Sequence, residues 1–295
     1  MTAARREDHV GRAIAWLLLG VIGGLGLDLC AKEILQTYSL QEFVLVRSLI
    51  GVLIFLALAP RFFGGFRMLH TNRWGWHLLR TVLAIGAMYG FFYGLSQMPL
   101  VNALTLGYTA PLMVTALSVP FLGEHVGWHR WMAVGVGFVG TLVMLQPGSG
   151  DFSFASAAIL FAAFCYACQA ITARYLVTES MLSLSVYVVA GPLVVAISLM
   201  NGDSWLVPDL KGWWLFAGAG ICSVIAWIGF INGYRGSSPA LLAPFEYAAL
   251  IGGAIAGYLI WNEVPDRWVL AGAGIIITSG LYVVYREVGL TGVSK

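Results

Sequence analysis

Glu246 is the residue whose type and place ask most insistently for a chemical role. It lies in ALLAPFEYAALIGGAIAGYLIW, an otherwise apolar stretch from Ala240 to Trp261. A charge at the centre of a membrane helix costs roughly 2.5–3.5 kcal/mol on insertion scales, so a carboxylate there must face protein or a wet cavity. Pro244, two residues earlier, removes a backbone hydrogen bond and loosens the helix. Glu246 is then placed to bind a cationic group, to carry a proton, or to form a structural ion pair with Arg80 or Arg235. Asp28 and Lys32 stand at i and i+4, the acid N-terminal to the base, which favours pairing. They could neutralise each other near an interface or form a pair that a zwitterion opens. Arg47 could neutralise Glu42 or Asp28, or hold a carboxylate. A set of uncharged polar groups could line a path among these charges: Tyr89, Tyr93, Asn102, Tyr108, Gln169, Asn232 and Tyr247, with Thr105 and Thr172. Taken singly, each is equally explained by an interhelical hydrogen bond. Trp227 and Tyr166 could stack on a flat ligand or pack as ordinary aromatics.

The elements that must position these residues are membrane helices. Of 295 residues, 59% are hydrophobic and 10% charged, against roughly a quarter charged in soluble domains. Ten segments have the length and hydropathy of spans: 13–34, 41–59, 75–97, 101–122, 130–146, 154–174, 183–200, 212–233, 240–261 and 267–285. The short connections leave no room for a soluble domain. The first apolar run follows a basic N-terminus and has no small-residue cleavage site, the pattern of a retained anchor. With both termini in the cytoplasm, the inner ends hold twelve Lys or Arg residues (Arg5, Arg6, Arg12, Arg61, Arg67, Arg73, Arg80, Arg130, Arg174, Arg235, Arg286, Lys295). The outer ends hold four (Lys32, Arg47, Lys211, Arg267). Tryptophans including Trp74, Trp76, Trp128, Trp205, Trp213 and Trp261 fall at the expected interfaces.

Two stretches resemble each other, Met98–Gly137 and Ser238–Gly274. Each opens on Pro and small residues, runs through a span to a glutamate (Glu124, Glu263), turns, and resumes with Arg-Trp (Arg130-Trp131, Arg267-Trp268). Five spans per half is an odd number, so the halves, 1–147 and 148–295, would insert in opposite senses. That is the inverted-repeat design of secondary transporters, with a site near the midplane. The expected fold is an all-α integral membrane protein of ten transmembrane helices in two inverted five-helix repeats.

These residues resemble the EamA-type branch of the drug/metabolite transporter superfamily. The resemblance is carried by FLGE and WNEVPD at the paired span ends, APFEY before Ala248, GFVGTLVML, and FVLVRSLIG around Arg47. DLCAK, TARYLVTESMLSL and RWMAVGVGFVGTLVMLQP are similar to the subgroup of S-adenosylmethionine uptake carriers. Opine-type metallophore exporters and riboflavin carriers belong to the wider family. The resemblance implies ten helices around a central cavity and alternating access.

The function expected is secondary transport across the cell inner membrane, not enzymatic catalysis. The solute would be a small polar metabolite bearing an amine, such as an amino acid or an opine-type metallophore. The leading expectation is export with possible proton coupling; uptake of S-adenosylmethionine or riboflavin is the alternative. A non-transporting membrane scaffold and a multi-pass membrane enzyme are the rivals from other classes. The short outer loops and the lack of a Ser/His/Asp or metal set weigh against the enzyme. No cofactor is expected. Gly135-Val-Gly137-Phe-Val-Gly140 matches a dinucleotide fingerprint in form but has no strand before it and no ribose-binding acid after it. Glu124, His125 and His129 lack the spacing of a zinc site. Cys165-Tyr-Ala-Cys168 has no second ligand pair, and four cysteines in apolar segments make no disulfide framework. A net charge of +2 gives no field for nucleic acid. Gly90-x-x-x-Gly94 and Gly253-x-x-x-Gly257 permit close helix contacts and a homodimer.

Overall fold

The computed structural model describes residues 3–62, 64–123, 127–146, 153–176, 178–200, 205–236, 242 and 245–292. Side chains are described outside 3–10, 130, 235–236 and 283–292. The described residues are all-helical: α1 Ala3–Ile34, α2 Leu40–Phe62, α3 Trp74–Gln97, α4 Leu100–Gly107, α5 Ala110–Leu122 and α6 Trp128–Leu145. These are followed by α7 Phe154–Arg174, α8 Met181–Leu199, α9 Leu210–Gly236, α10 Ala248–Trp261 and α11 Arg267–Gly292. Seven segments are long and apolar enough to cross a membrane, α4 and α5 together forming one of them. Three shorter apolar helices are α6 from Trp131, α10, and α11 to Tyr282.

The break between α4 and α5 interrupts a segment whose hydropathy reads as continuous. Pro111, in the first turn of α5, has no N–H to offer the carbonyl four residues back and crowds it. The chain therefore turns at Tyr108 and Thr109. Local bonds replace the missing ladder: Tyr108 donates its N–H to the Leu104 carbonyl, and the Thr109 hydroxyl donates to the Leu106 carbonyl at 2.6 Å. A second interruption falls at Tyr247, between the helical pair Phe245–Glu246 and α10. Helix α10 stops at Asn262 and α5 at Gly123. Both residues adopt left-handed backbone (φ 56° and 66°), which Asn and Gly tolerate best.

Helix α1 packs along α9, α3 along α7, α2 against α8, and α6 against α11. The shorter α4 lies against α10 and α7. The close pairs rest on small residues. A methyl group on Gly90 would lie 2.7 Å from the Ala158 carbonyl oxygen, and one on Gly20 would lie 2.8 Å from the Phe230 nitrogen. Gly90 and Gly94 thus seat α3 on α7, and Gly253 faces Leu100 and Leu104 of α4. Both glycine spacings are used within the chain.

The helix ends fall into two sets. Lys32, Met98, Leu100, Lys211, Trp261 and Glu263 share one end of the bundle, called here the Lys32 end. Arg73, Phe121, Tyr175 and Ser180 share the other, the Arg73 end. One large core fills the Lys32 half, with Ile34, Phe43, Phe92, Leu95, Leu100, Ile159 and Phe216 fully or almost fully buried. Toward the Arg73 end the described core divides into two small groups, one around Phe55 and Leu182 and one around Leu17 and Leu242.

Candidate functional site

The two interruptions meet. The Tyr108 hydroxyl donates to the backbone carbonyl of Glu246 at 2.6 Å, and the Tyr108 and Tyr247 rings lie 5.3 Å apart, tilted by 37°. Each tyrosine stands sixteen residues before the glutamate that closes its stretch, Glu124 or Glu263. The similarity between the two halves therefore converges on this contact.

Around it stands a cluster of ionisable groups. The Tyr108 hydroxyl is within electrostatic reach of Glu246, Asp28, Tyr247 and Tyr166. Tyr166, from α7, and Tyr247 both feel the Glu246 charge. Tyr166 is 57% exposed although it faces these groups. The Glu246 carboxylate has no ion pair or hydrogen bond among the described residues, so the Glu246–Arg80 pair allowed by the sequence is not formed. Pro244, Glu124 and His125 lie outside the described residues, as does the side chain of Arg235.

On the Lys32 side of this cluster, Asp28 of α1 and Arg47 of α2 act on one another electrostatically. Arg47 is 9% exposed. It donates to the Met88 sulfur at 3.5 Å, sits 5.7 Å from the centre of the Phe92 ring, and leaves its Nε without a partner. Glu42 is not its counter-ion: that carboxylate accepts from the Ser39 and Leu206 backbone N–H groups. The Tyr89 hydroxyl and the Asn102 side-chain oxygen are also buried without partners. A buried polar group left unpaired costs about 1–3 kcal/mol, so such a group marks a place where water or solute is expected.

Other expected residues go elsewhere. Lys32 does not pair with Asp28. Its ammonium forms an ion pair with Glu263, 231 positions away, and donates to the Met98 carbonyl at 3.2 Å. Tyr93 packs edge-on against Phe154 near the Lys32 end. Asn232 donates to the Ile228 carbonyl of its own helix at 2.8 Å. Gln169 reaches across from α7 to the Arg80 carbonyl at 3.4 Å. Glu263, at the end of its span, accepts the Leu100 N–H at 2.9 Å and so caps α4. Tyr166 was not among the residues favoured for the site; its position between two cysteines gives no polar pattern on α7. Among the described residues no three His, Cys, Asp or Glu side chains gather to hold a metal, and the cysteines are unbridged.

Residues 11–146 match the model of the EamA-like transporter family. The S-adenosylmethionine uptake transporter of Rickettsia bellii is 32% identical over 295 residues, covering 97% of each chain. The chain belongs to the EamA-like transporter family. It is a multi-pass membrane transporter. The riboflavin transporter of Vibrio cholerae is 30% identical over 223 residues, covering 74% of each chain. The pseudopaline exporter of Pseudomonas aeruginosa is 27% identical over 252 residues, covering 84% of this chain and 87% of the exporter. A solved crystal structure at 18% identity superposes with a TM-score of 0.67 over 94% of this chain and 98% of its own, a likeness of fold.

Proposed function

We propose that the chain is a secondary carrier of the cell inner membrane for a small amino-acid-derived solute with a cationic centre. S-adenosylmethionine is the first candidate. The observation that carries this reading is the unpaired Glu246 carboxylate walled by Tyr108, Tyr166 and Tyr247. A carboxylate among aromatic faces suits a sulfonium or ammonium, because ring faces attract cations by about 0.5–2 kcal/mol each and a desolvated charge adds to this. The similarity to S-adenosylmethionine uptake transporters over 97% of the chain supports the same solute, and it favours uptake over export. Glu246 is also the place where a proton could exchange with the solute.

Ten spans in two inverted halves are supported by the packing. If the first five spans are matched to the last five, α1 on α9 becomes α7 on α3. The pairs α2–α8, α4–α10 and α6–α11 map onto themselves. The distribution of Lys and Arg assigns the Arg73 end to the cytoplasm. The continuous core and the Lys32–Glu263 contact support a reading in which the outer end is closed in this conformation.

Flux into proteoliposomes tests the reading, using S-adenosylmethionine, riboflavin, an amino-acid panel and an opine-type metallophore with and without a pH gradient. S-adenosylmethionine is expected to move in the wild type and to be lost in Glu246→Gln. Movement of riboflavin alone, or full flux in the variant, would overturn it.

A further inference from the structure

Arg80 is the described charge the site leaves unexplained. It lies six residues into α3, about 9 Å from the Arg73 end at 1.5 Å per residue. It is 5% exposed, and neither its Nε nor its Nη1 has a hydrogen-bond partner. Among the described residues no ion pair reaches it. Arg47, the other buried arginine, has Asp28, a thioether and an aromatic face around it; Arg80 has none of these. An intramembrane guanidinium without a counter-charge is costly and so calls for an anion. Its place relative to the carrier site is given by α7: Tyr166 lines the tyrosine cluster, and Gln169, three residues on and therefore on the same face, donates to the Arg80 carbonyl. The Arg80 backbone thus lies about one helical turn of α7 from Tyr166, toward the Arg73 end.

We infer that Arg80 binds an anionic oxygen group at this position, namely the carboxylate of the transported solute while its cationic centre is held by Glu246. Guanidinium presents planar donor edges that match a carboxylate, and the unpartnered Nε and Nη1 each contribute to one of those edges. An anionic lipid headgroup offers the same chemistry from another source. The burial of the side chain, away from the lipid-facing surface, favours the solute.

The inference rests on the proposed solute, and the test separates the two. Purified protein in a neutral detergent is titrated with S-adenosylmethionine, with its decarboxylated analogue and with phosphatidylglycerol, and thermal stabilisation is followed. The wild type is expected to respond to both solutes and to bind the carboxylate-bearing one at least tenfold more tightly. Arg80→Gln is expected to bind the two solutes equally. Arg80→Lys, which keeps the charge and loses the fork, should retain part of the preference and serves if the glutamine variant is not monodisperse. If the wild type responds to neither solute, the functional reading fails and takes this inference with it. If it responds and the variants keep the full preference, the inference alone fails. Loss of the phosphatidylglycerol response with an unchanged solute preference would assign Arg80 to lipid and overturn it as well.

Discussion

The polar groups at the Lys32 end and those in the interior obey different rules. At the Lys32 end the lysines and glutamates described have bonded partners, and Arg267 lies over the Trp268 ring. Lys32 is bound by Glu263 and the Met98 carbonyl, Glu263 also takes the Leu100 N–H, and Glu42 takes two backbone N–H groups. Glu33 takes Lys211 at 2.6 Å and the Trp261 indole N–H at 3.1 Å. Elsewhere in the bundle the Arg47 Nε, the Ser48 hydroxyl, the Arg80 Nε and Nη1, the Tyr89 hydroxyl and the Asn102 oxygen are buried without a partner, and the Glu246 carboxylate has no hydrogen bond or ion pair among the described residues. Folding removes unpaired buried groups wherever it can, because each costs about 1–3 kcal/mol. A site for a polar solute must instead keep such groups open. On the proposed function, the contrast separates residues that hold the bundle together from residues left open for a solute.

The largest effect is expected in the interior. Glu246→Gln keeps the shape and removes the charge. A hydrogen bond or contact to a charged group is worth about 1.5–3 kcal/mol, or roughly 10- to 100-fold in transport at subsaturating solute. The thermal midpoint of the solute-free protein should not fall, since the carboxylate is paired with nothing in the described structure. A variant that unfolds instead would move Glu246 to the structural side.

Glu263→Gln should do the reverse. Removing one partner of a fully buried ion pair costs about 3–5 kcal/mol; Glu263 is 19% exposed, so about 2 kcal/mol of stability is the expected loss. Lys32→Met combined with Glu263→Gln should recover part of it, because no uncompensated ammonium remains. Equilibrium unfolding of the single and double variants measures both. A double variant no better than the sum of its singles would mean that the two side chains do not act as a pair.

Tyr108→Phe sits between the two classes. It removes one bond, from the hydroxyl to the Glu246 carbonyl, and keeps the ring. The loss should be about 1 kcal/mol, read as a fall in transport of less than tenfold. A larger loss would make the hydroxyl a solute ligand in its own right.

Much of this contrast was legible in the sequence. Composition and span length require membrane helices, and Glu246 in a greasy segment points to the site proposed here. The observed α2, α3, α6, α7, α8 and α9 lie within a few residues of the expected spans, whereas α1 begins ten residues early at Ala3, α10 begins only at Ala248, α11 runs on to Gly292, and α4 and α5 separate at Tyr108 and Thr109. Hydropathy does not see that break, because Ala110 and Pro111 are as apolar as a helix needs and only the missing N–H interrupts the ladder. The partner of Lys32 was not legible either: Asp28 has the right local spacing, but a carboxylate 231 positions away wins once the helices pack. Tyr166 was hidden for a related reason. A lone tyrosine between cysteines looks like packing until α4 and the Tyr247 turn come to stand opposite it.

Lys211→Gln should produce the smallest effect, and for that reason it is the sharpest control. Lys211 pairs with Glu33, and at 2.6 Å the pair looks as firm as any in the molecule. The lysine side chain is 69% exposed, however, and exposed pairs are screened and must fix two long side chains in one geometry. Glu33 also keeps its bond from the Trp261 indole when the lysine is gone. Neither thermal midpoint nor flux should change measurably, at low or high salt. A clear loss of stability would mean that the Lys32 end is held by its whole set of charges acting together. The absence of one would leave closure of that end to Lys32, Glu263 and the Leu100 N–H, the contacts that tie α1 and α4 to the turn after α10.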